Sequence, residues 1–290
     1  MELPVFVVDA FTSVPLSGNP AAVCLLGQDL AEEMHQKIAA EMNLSETAFV
    51  RTLSPMDDFS SATQFGLRWF TPSREVALCG HATLATAAIL HSLGNTNARL
   101  AFHTLSGELA AWHEGDHIAL DLPLNPTEPL QEKDEFKKLI QVAVGEMSVQ
   151  DVRYSPGTCK LLIRLSDVYT RQDLERLPID PGSLLRTERA SGSPDVMGVI
   201  VTLRGCGGDR IDFYSRYFAP WVGINEDPVT GSAHTVLASY WSKELGKQEL
   251  TARQCSPRGG ELQLSLQQQQ HGRVSVSGQS RIVLRGSLHL

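Results

Sequence analysis

One short passage occurs twice in the sequence, and the same two further matches follow it each time. The first copy occupies residues 68–72 (RWFTP) and the second occupies residues 216–220 (RYFAP). A Gly-x-Ala triplet that opens an apolar run follows each copy, at residues 80–82 and 231–233. A Gly-Glu-Leu triplet comes after each run, at residues 107–109 and 260–262. Three matches in the same order predict an internal duplication, with two similar halves in one chain.

The length and charge of the chain restrict what it can be. Its 290 residues are enough for two modest domains, each with its own core. The formal net charge is −8 and no block of like charge occurs, which argues against nucleic acid or an anionic membrane as the main partner. No stretch approaches the ~20 apolar residues of a membrane span. The composition is typical of a soluble globular protein.

The start of the chain and the cysteines bear on the cellular compartment. Residues 1–5 lack the basic segment of a signal peptide and lead directly into a strand pattern. The five cysteines are odd in number and scattered, which favours free thiols in a reducing compartment over a disulfide framework. We therefore expect a cytoplasmic protein.

The order of predicted elements indicates an α+β protein. Each half has many short strands and one largely apolar helix, predicted over residues 81–93 and 233–245, and helices of this kind are buried. A further amphipathic helix is predicted between Leu30 and Met42, with Asp29 as its N-cap and Asn43 as its left-handed C-cap.

A proline-rich segment divides the chain. Residues 123–129 contain three prolines and are typical of a linker between domains. The last predicted strand, around residues 282–284, can return to the first half. We therefore predict one domain formed by residues 1–122 and 279–290, and a second formed by residues 123–278.

A glycine lies at the start of each predicted central helix, Gly80 just before the first and Gly231 just before the second. First-turn amides have no intrahelical partner and the helix dipole adds positive charge, so such a start suits a carboxylate or phosphate. If the halves pack around a pseudo-two-fold axis, both starts can face one cleft. A glycine at a helix start can also serve only a tight turn, but two matching copies favour an anion site.

Polar residues lie close to these two starts, with His81 at the first and Asp227 and Ser232 at the second. Each has a simple structural explanation when taken alone, since Asp-Pro is typical of a turn and a first-turn histidine is often just hydrogen-bonded. Their combination favours a binding or catalytic site. A serine hydrolase is not indicated, because the sequence has no G-x-S-x-G turn.

Glu46 stands between Ser45 and Thr47 where an apolar strand begins. A carboxylate that enters buried surroundings has a raised pKa and can act as an acid or a base near neutrality. The alternative is a solvent-exposed glutamate in a loop, and the local sequence alone favours that alternative.

Residues 113–117 (HEGDH) match the H-E-x-x-H zinc motif. That motif needs a helix to bring its two histidines to one face. Gly115 and Asp116 lie between alternating segments that predict a hairpin instead. We therefore expect no metal at this stretch.

Four segments together resemble the phenazine biosynthesis (PhzF-like) family. They are residues 18–23 (GNPAAV), 44–49 (LSETAF), 79–83 (CGHAT) and 226–233 (EDPVTGSA). They span the chain in order, and the joint match is specific. The resemblance implies the diaminopimelate-epimerase-like fold, in which two pseudo-symmetric domains each wrap a curved mixed sheet around a central helix. It also implies an isomerase.

The resemblance further implies a role for individual residues. It makes Glu46 the group that moves a proton within a small carboxylic acid, which reverses the exposed interpretation of this residue. The residues that hold the substrate and assist the proton shift fall on His81, Asp227 and Ser232. Amides that bind carboxylate fall on Gly80 and Gly231, and a substrate-binding asparagine near the cleft falls on Asn19.

Related epimerases and racemases use two thiols, one at the start of each central helix. Cys79 precedes Gly80 here, but Thr230 precedes Gly231, so racemisation by two thiols is not expected. The leading hypothesis is an isomerase that needs no cofactor and uses Glu46 as its base. The alternatives are an epimerase with one thiol and a non-catalytic binding protein, for which the resemblance implies a WD-repeat partner.

Some properties stay open at this level. An amino acid, an aromatic acid and a hydroxy acid are all compatible substrates. The resemblance implies that a homodimer is possible.

Overall fold

The computed structural model describes all residues except 1, 55, 131–132, 188–193, 207, 209 and 267–271, and it describes residues 133–134 without their side chains. The strands are β1 (Glu2–Ala10), β2 (Asn19–Leu26), β3 (Glu46–Thr52), β4 (Gln64–Phe70), β5 (Glu75–Val76), β6 (Arg99–Thr104), β7 (Gly107–Glu114), β8 (His117–Pro123), β9 (Glu128–Pro129), β10 (Val149–Ser155), β11 (Lys160–Leu165), β12 (Gly198–Arg204), β13 (Phe213–Phe218), β14 (Glu249–Gln254), β15 (Gly260–Ser265), β16 (Arg273–Gly278) and β17 (Ser280–His289). The helices are α1 (Glu32–Met42), α2 (Gly80–Ser92), α3 (Lys137–Val144), α4 (Arg171–Arg176), α5 (Pro181–Arg186) and α6 (Gly231–Leu245), with single 3₁₀ turns at Lys133–Phe136 and Pro220–Val222.

The chain divides into two compact units, Met1–Leu122 with Ser275–Leu290 and Pro123–Val274. We call them the first and the second unit. The sequence-based division places the last boundary at residue 279, whereas the boundary in the structure falls within β16. β17 pairs antiparallel with β1, from Glu2 opposite His289 to Ala10 opposite Ser280, so the predicted return of the last strand to the first half is confirmed.

The first unit is a mixed sheet on a buried helix. β1 is antiparallel to both β17 and β2, β2 is parallel to β3, β3 is antiparallel to β4, β4 is parallel to β6, and β6, β7 and β8 are antiparallel neighbours. α2 packs against β1, β2, β3, β7 and β17, and every residue from Gly80 to Leu90 is buried. Small side chains such as Ala82 and Ala85 let the sheet approach this helix closely.

The second unit repeats this arrangement. β9, β10 and β11 are antiparallel neighbours, β11 is parallel to β12, β12 is antiparallel to β13, β13 is parallel to β14, and β14 is antiparallel to β15. α6 is its central helix and is buried through most of its length. Side chains from α3, α4 and α5 pack with those of β11, β12 and β13 in a separate apolar core that includes Phe136, Leu174 and Leu184.

The strand pairing confirms the duplication predicted from the repeated passage. Starting at β2 in one unit and β11 in the other, the successive pairings are parallel, antiparallel, parallel and antiparallel. The register also corresponds, because Thr47 stands opposite Phe70 as Val199 stands opposite Phe218. Phe70 and Phe218 are equivalent positions in the two copies of the passage.

Helix α1 differs from its prediction at one end. It begins at Glu32 after Ala31, which makes no side-chain cap, so the prediction that Asp29 caps this helix is wrong. Asp29 lies two residues before the N-cap position, so its side chain does not reach the first-turn amides. Its carboxylate lies 3.2 Å from Nε of Arg51 instead. Asn43 has the predicted left-handed conformation, with φ 49°, and its N–H bonds to the carbonyl of Ala39.

Residues 113–117 form the predicted hairpin, in which Glu114 of β7 stands opposite His117 of β8, so the two histidines do not share a helix face. Among the residues that the structure describes, no helix combines the length and the apolar character that a membrane span requires.

Candidate functional site

Glu46 is the first residue of β3 and stands beside Ala21 of the parallel strand β2. The residue is 7% exposed, so the interpretation that it is a solvent-exposed loop residue is wrong. The left-handed turn at Asn43 ends α1 and lets the chain enter β3 within a few residues. The carboxylate is therefore brought into the interior by the first residue of a strand rather than by a flexible loop.

His81 lies in the first turn of α2, beside this carboxylate. Its Nε2 lies 3.3 Å from Oε2 of Glu46, although the two atoms approach each other without the alignment of a hydrogen bond. Burial lowers the pKa of His81 to about 3. The imidazole is therefore neutral at physiological pH, and the contact is between a carboxyl group and a neutral ring.

The other ring nitrogen of His81 has two polar neighbours of its own. Nδ1 lies 3.2 Å from Nδ2 of Asn19 and 3.5 Å from Sγ of Cys79. The hydroxyl of Ser45 donates to Oδ1 of Asn19 at 3.4 Å. The imidazole ring thus lies between the carboxyl group of Glu46 on one side and an amide and a thiol on the other.

Glu46, Cys79 and His81 also have the donor types that bind zinc, and one ligand atom from each can be chosen so that all lie within 4.8 Å of one another. A tetrahedral ion needs its ligands to converge on one point. Here the carboxylate approaches Nε2 and the thiol approaches Nδ1, on different sides of one ring. A chain of polar contacts through the imidazole describes this cluster better than a metal centre.

A second polar cluster lies before α6, in the second unit. It consists of Asp227, Thr230 and Gln254, which are all buried. The hydroxyl of Thr230 donates to Oδ2 of Asp227. Gln254 Nε2 donates to the Asp227 carbonyl at 2.6 Å, and its Oε1 accepts the Thr230 N–H at 2.9 Å. The amide of Gln254 therefore clamps the loop from Asp227 to Thr230 at both ends.

Sequence reasoning did not identify Gln254. The residue ends β14, and its local sequence has no feature that separates it from any other strand-end glutamine. Its place is set by the parallel pairing of β13 and β14, in which Gln254 stands beside Ser215. That register depends on the fold as a whole, so no local signal could have found it.

The two central helices begin without a cap from the N-cap side chain. Cys79 precedes α2 and Thr230 precedes α6, and neither side chain accepts a hydrogen bond from its helix. The hydroxyl of Thr230 is turned to Asp227 instead. The short helices α4 and α5 are capped by the side chains of Thr170 and Asp180. The first-turn amides and the dipole of α2 and α6 thus keep the capacity to stabilise an anion.

The predicted site residues fall into two groups. The first unit brings together Asn19, Glu46 and His81 beside Gly80, the first residue of α2. The second unit places Asp227 close before Gly231, the first residue of α6, and leaves Ser232 half-buried in the first turn. That both groups serve one site stays a prediction.

The duplication is not symmetric at the position of Glu46. Glu46 precedes Thr47, and the equivalent residue before Val199 is Gly198. A Cβ added at Gly198 would lie 2.3 Å from the hydroxyl oxygen of Tyr217, so the phenol ring occupies the space that a side chain would need. At the position equivalent to Glu46, the second unit therefore has the ring of Tyr217 and no carboxyl group.

Two units that each wrap a mixed sheet around a buried helix, with polar groups at the helix starts, define a protein of the epimerase and racemase fold class. The family model for phenazine biosynthesis-like proteins (PhzC-PhzF) matches residues 8–286. The chain is 57% identical over 292 residues to the phenazine biosynthesis-like domain-containing protein of Bos taurus, with 99% of each chain covered. It is 42% identical to a Pseudomonas aeruginosa protein named as an uncharacterized isomerase, with 100% of each covered. The chain therefore belongs to the phenazine biosynthesis-like (PhzC-PhzF) family.

Solved structures confirm the predicted α+β, diaminopimelate-epimerase-like fold. A PhzF family protein from Enterococcus faecalis superimposes with a TM-score of 0.85 at 36% identity, with 100% of both chains covered. A hydroxyproline epimerase from Agrobacterium vitis is similar with a TM-score of 0.59 over 99% of this chain and 92% of the other. That second likeness comes at 11% identity and concerns the fold alone.

Proposed function

We propose that the protein is a cofactor-independent isomerase that moves a proton on a small carboxylic acid, with Glu46 as the general acid and base. The observation that carries this proposal is the buried carboxyl group of Glu46, whose Oε2 lies 3.3 Å from Nε2 of the neutral His81. A buried carboxylate held beside a polar partner is a typical proton-transfer group. The bacterial relative that is named an isomerase supports the same class of reaction.

In this proposal the ionised carboxylate of Glu46 removes a proton from a carbon of the substrate, and the electron pair of the broken C–H bond stays on the substrate. The resulting negative charge is stabilised by His81 and by the first-turn amides of α2. Glu46 then returns the proton to a different carbon, which leaves the enzyme in its starting state. Asp227, Ser232 and the Gly231 amide are proposed to bind the substrate.

A carboxylate is the favoured ligand because of the two helix starts. Each of α2 and α6 begins with a glycine whose preceding residue does not cap the helix. Backbone amides at a helix start bind a carboxylate without a basic side chain. This arrangement suits a protein whose net charge is −8, because the site needs no cluster of lysine and arginine.

The test is hydrogen exchange in D₂O. Wild-type protein is incubated with a panel of small amino, aromatic and hydroxy acids, and loss of each C–H signal is followed by NMR. Glu46→Gln should lower the exchange rate about 10²–10⁴-fold, because a catalytic acid or base contributes about that factor. Glu41→Gln changes an exposed glutamate of α1 and should exchange at the wild-type rate. Exchange by Glu46→Gln at the wild-type rate would exclude the role of Glu46.

The competing function is a binding protein on an isomerase scaffold, with a WD-repeat protein as its partner. A Glu46→Ala, Asp227→Ala double variant separates the two functions in cells. If the double variant keeps full cellular activity, the isomerase proposal fails and the binding function replaces it. A homodimer and a cytoplasmic location also stay predictions.

A further inference from the structure

The position of the proton on His81 follows from its neighbours. A neutral imidazole carries one hydrogen, either on Nδ1 or on Nε2. The nitrogen that carries it donates a hydrogen bond and the other nitrogen accepts one. Nε2 lies 3.3 Å from an oxygen of Glu46, and an ionised carboxylate can only accept. An unprotonated Nε2 this close to a carboxylate oxygen would bring two regions of negative charge together. The hydrogen therefore belongs on Nε2 whenever Glu46 is ionised.

The opposite side of the ring gives the same answer independently. With the hydrogen on Nε2, Nδ1 is an acceptor, and both of its polar neighbours can donate to it. The amide nitrogen of Asn19 lies 3.2 Å away and the thiol of Cys79 lies 3.5 Å away. Ser45 donates to the amide oxygen of Asn19, which is the orientation that leaves the amide nitrogen facing His81.

The other tautomer would leave several contacts unfavourable. A hydrogen on Nδ1 would face the N–H groups of Asn19, and the nearby sulfur would have to accept it. Acceptance is strong only for a thiolate, which would be an uncompensated charge in a buried site. Rotation of the Asn19 amide would remove the first conflict, but it would also turn the amide hydrogens towards Ser45 and leave the Nε2 lone pair against Glu46.

We propose that Asn19 and Cys79 are positioning residues that fix His81 as the neutral Nε2–H tautomer, so that its ring supplies a hydrogen-bond donor, and not a second base, beside Glu46. This inference rests on the proposed function of Glu46 as the base. It changes the predicted role of Asn19 from a residue that holds the substrate to one that acts through His81.

The Nε2–H tautomer gives Glu46 and His81 different roles. Glu46 takes the proton from carbon and gives it back, so the carboxyl group is the one that gains and loses a proton. His81 keeps its single hydrogen throughout and directs the Nε2–H dipole at negative charge that forms on the substrate. Its low pKa agrees with this division, because an imidazole that resists protonation does not compete with Glu46 for the proton.

The backbone holds Asn19 firmly in place for this role. Asn19 is fully buried and stands opposite Ala10 in the β1–β2 pair. The preceding Gly18 has φ +68°, and a Cβ there would lie 2.2 Å from the carbonyl oxygen of Ala10. A glycine is therefore required for the turn that delivers the Asn19 side chain to His81.

The ¹⁵N NMR spectrum of histidine-labelled protein measures the tautomer directly, because protonated and unprotonated ring nitrogens have well-separated chemical shifts. His81→Gln identifies the His81 signals by difference. We expect an unprotonated Nδ1 and a protonated Nε2 at pH 7 in the wild-type protein. A protonated Nδ1 would overturn the inference, and this result needs no variant beyond the one used for assignment.

Substitutions at Asn19 and Cys79 separate positioning from simple packing. Asn19→Asp replaces a donor with an acceptor of the same shape, so we expect the hydrogen to move to Nδ1. The bare Nε2 would then make Glu46 hold its proton more tightly, and the pH at which exchange activity appears should rise. Each unit of that rise lowers the rate about tenfold at a fixed lower pH. An unchanged tautomer in a folded Asn19→Asp variant would also overturn the inference.

Cys79 offers a matched pair of variants. Cys79→Ser keeps a hydrogen donor beside Nδ1, whereas Cys79→Ala removes it. We expect the ¹⁵N shifts of Cys79→Ser to resemble the wild type and those of Cys79→Ala to show a larger fraction of the other tautomer. Identical spectra for the two variants would remove Cys79 from the proposal.

The ¹⁵N spectrum tests the positioning role, and the exchange assay tests the proposed function. The tautomer is measured without turnover, so a protonated Nδ1 would refute the positioning role while Glu46-dependent exchange remained intact. Glu46→Gln that exchanges like the wild type would refute the proposed function and leave the ¹⁵N assignment unchanged.

Discussion

Arg216 binds Glu226 through two parallel hydrogen bonds, from Nε to Oε1 at 2.7 Å and from Nη2 to Oε2 at 2.9 Å. Arg68 binds Glu75 with the same pair of atoms, both at 2.7 Å. Each guanidinium also lies 5.0 Å from the ring centre of the phenylalanine two residues further on. Both glutamates precede a central helix in the chain. In both copies of the passage, the arginine therefore holds the segment that leads to the start of the central helix.

The two arginines should differ in their contribution to stability. The Arg216 side chain is 9% exposed and its Nη1 also donates to the carbonyls of Leu174 and Leu177, whereas the Arg68 side chain is 35% exposed. Removing one partner of a buried pair costs about 3–5 kcal/mol, whereas solvent weakens the partly exposed pairs that Arg68 makes with Glu75 and Glu32. Urea unfolding should therefore show a much larger loss for Arg216→Ala than for Arg68→Ala. Equal losses would contradict the difference in burial as the cause.

Gln254 should be essential for the loop before α6. Gln254→Leu keeps the size of the side chain but removes its bonds to the Asp227 carbonyl and the Thr230 N–H. Each buried group left unsatisfied costs about 1–3 kcal/mol. We expect lower stability in urea and faster hydrogen exchange at the Thr230 amide. Gln263→Leu alters an exposed glutamine of β15 and serves as the control, since it should leave the Thr230 amide protected.

Stability should fall as the pH decreases, and the buried His81 and His234 should each contribute to that fall. Burial lowers the pKa of His81 to about 3 and that of His234 to about 4, both below the usual 6.5. The unfolded chain then binds more protons than the folded chain between about pH 6.5 and pH 4. Stability is therefore full above about pH 6.5 and falls by about 1.4 kcal/mol per pH unit for each histidine as the pH decreases.

Urea unfolding at several pH values between 5 and 8 measures this dependence. His81→Gln and His234→Gln should each reduce the slope of unfolding free energy against pH by about one proton, whatever they do to stability at pH 8. His103→Gln, at an exposed position of β6, should leave the slope unchanged. A slope that neither substitution reduces would mean that other groups, such as the buried His35, cause the acid sensitivity.

Gly198 should tolerate no side chain. In Gly198→Ala the new Cβ would meet the hydroxyl oxygen, Cε2 and Cζ of Tyr217 at 2.3–2.6 Å, and Tyr217 is itself buried. Overpacking of this kind costs about 1–3 kcal/mol. Thermal unfolding should show the loss, and a second substitution, Tyr217→Leu, should recover part of it. Gly27→Ala is the matched control, because nothing lies within 4 Å of its added Cβ.

Sequence reasoning was most successful where a feature is local or repeated. The duplication was visible because three short matches share one order, and Asn43 was identified because a helix end needs a residue that accepts φ > 0. The Asp29 cap was wrong because α1 begins at Glu32, two residues later than that cap requires, and the Asp29 carboxylate pairs with Arg51 of β3 instead. Chain-local signals cannot report such a partner.

The candidate site was harder to predict than the fold. Local sequence favoured an exposed Glu46, and only the family resemblance identified it as a functional residue; its burial depends on the neighbouring strand β2 and on His81 from α2. Gln254 was missed for the same reason, since its partners are distant in the chain. The contacts within a site depend on which residues the pairing of strands and helices brings together. The propensities of single residues do not predict that pairing.

The tyrosine packed against Gly198 has a stereochemical consequence. A duplicated protein that kept a carboxyl group at both equivalent positions would have two candidate bases, and the interconversion of mirror-image forms in general uses two bases on opposite faces of one carbon. With Tyr217 filling one of those positions, Glu46 has no counterpart there. In the proposed reaction one carboxyl group then takes and returns the proton on a single face of the substrate. The product of the proposed reaction would therefore have one fixed handedness, because only one of the two equivalent positions carries a carboxyl group.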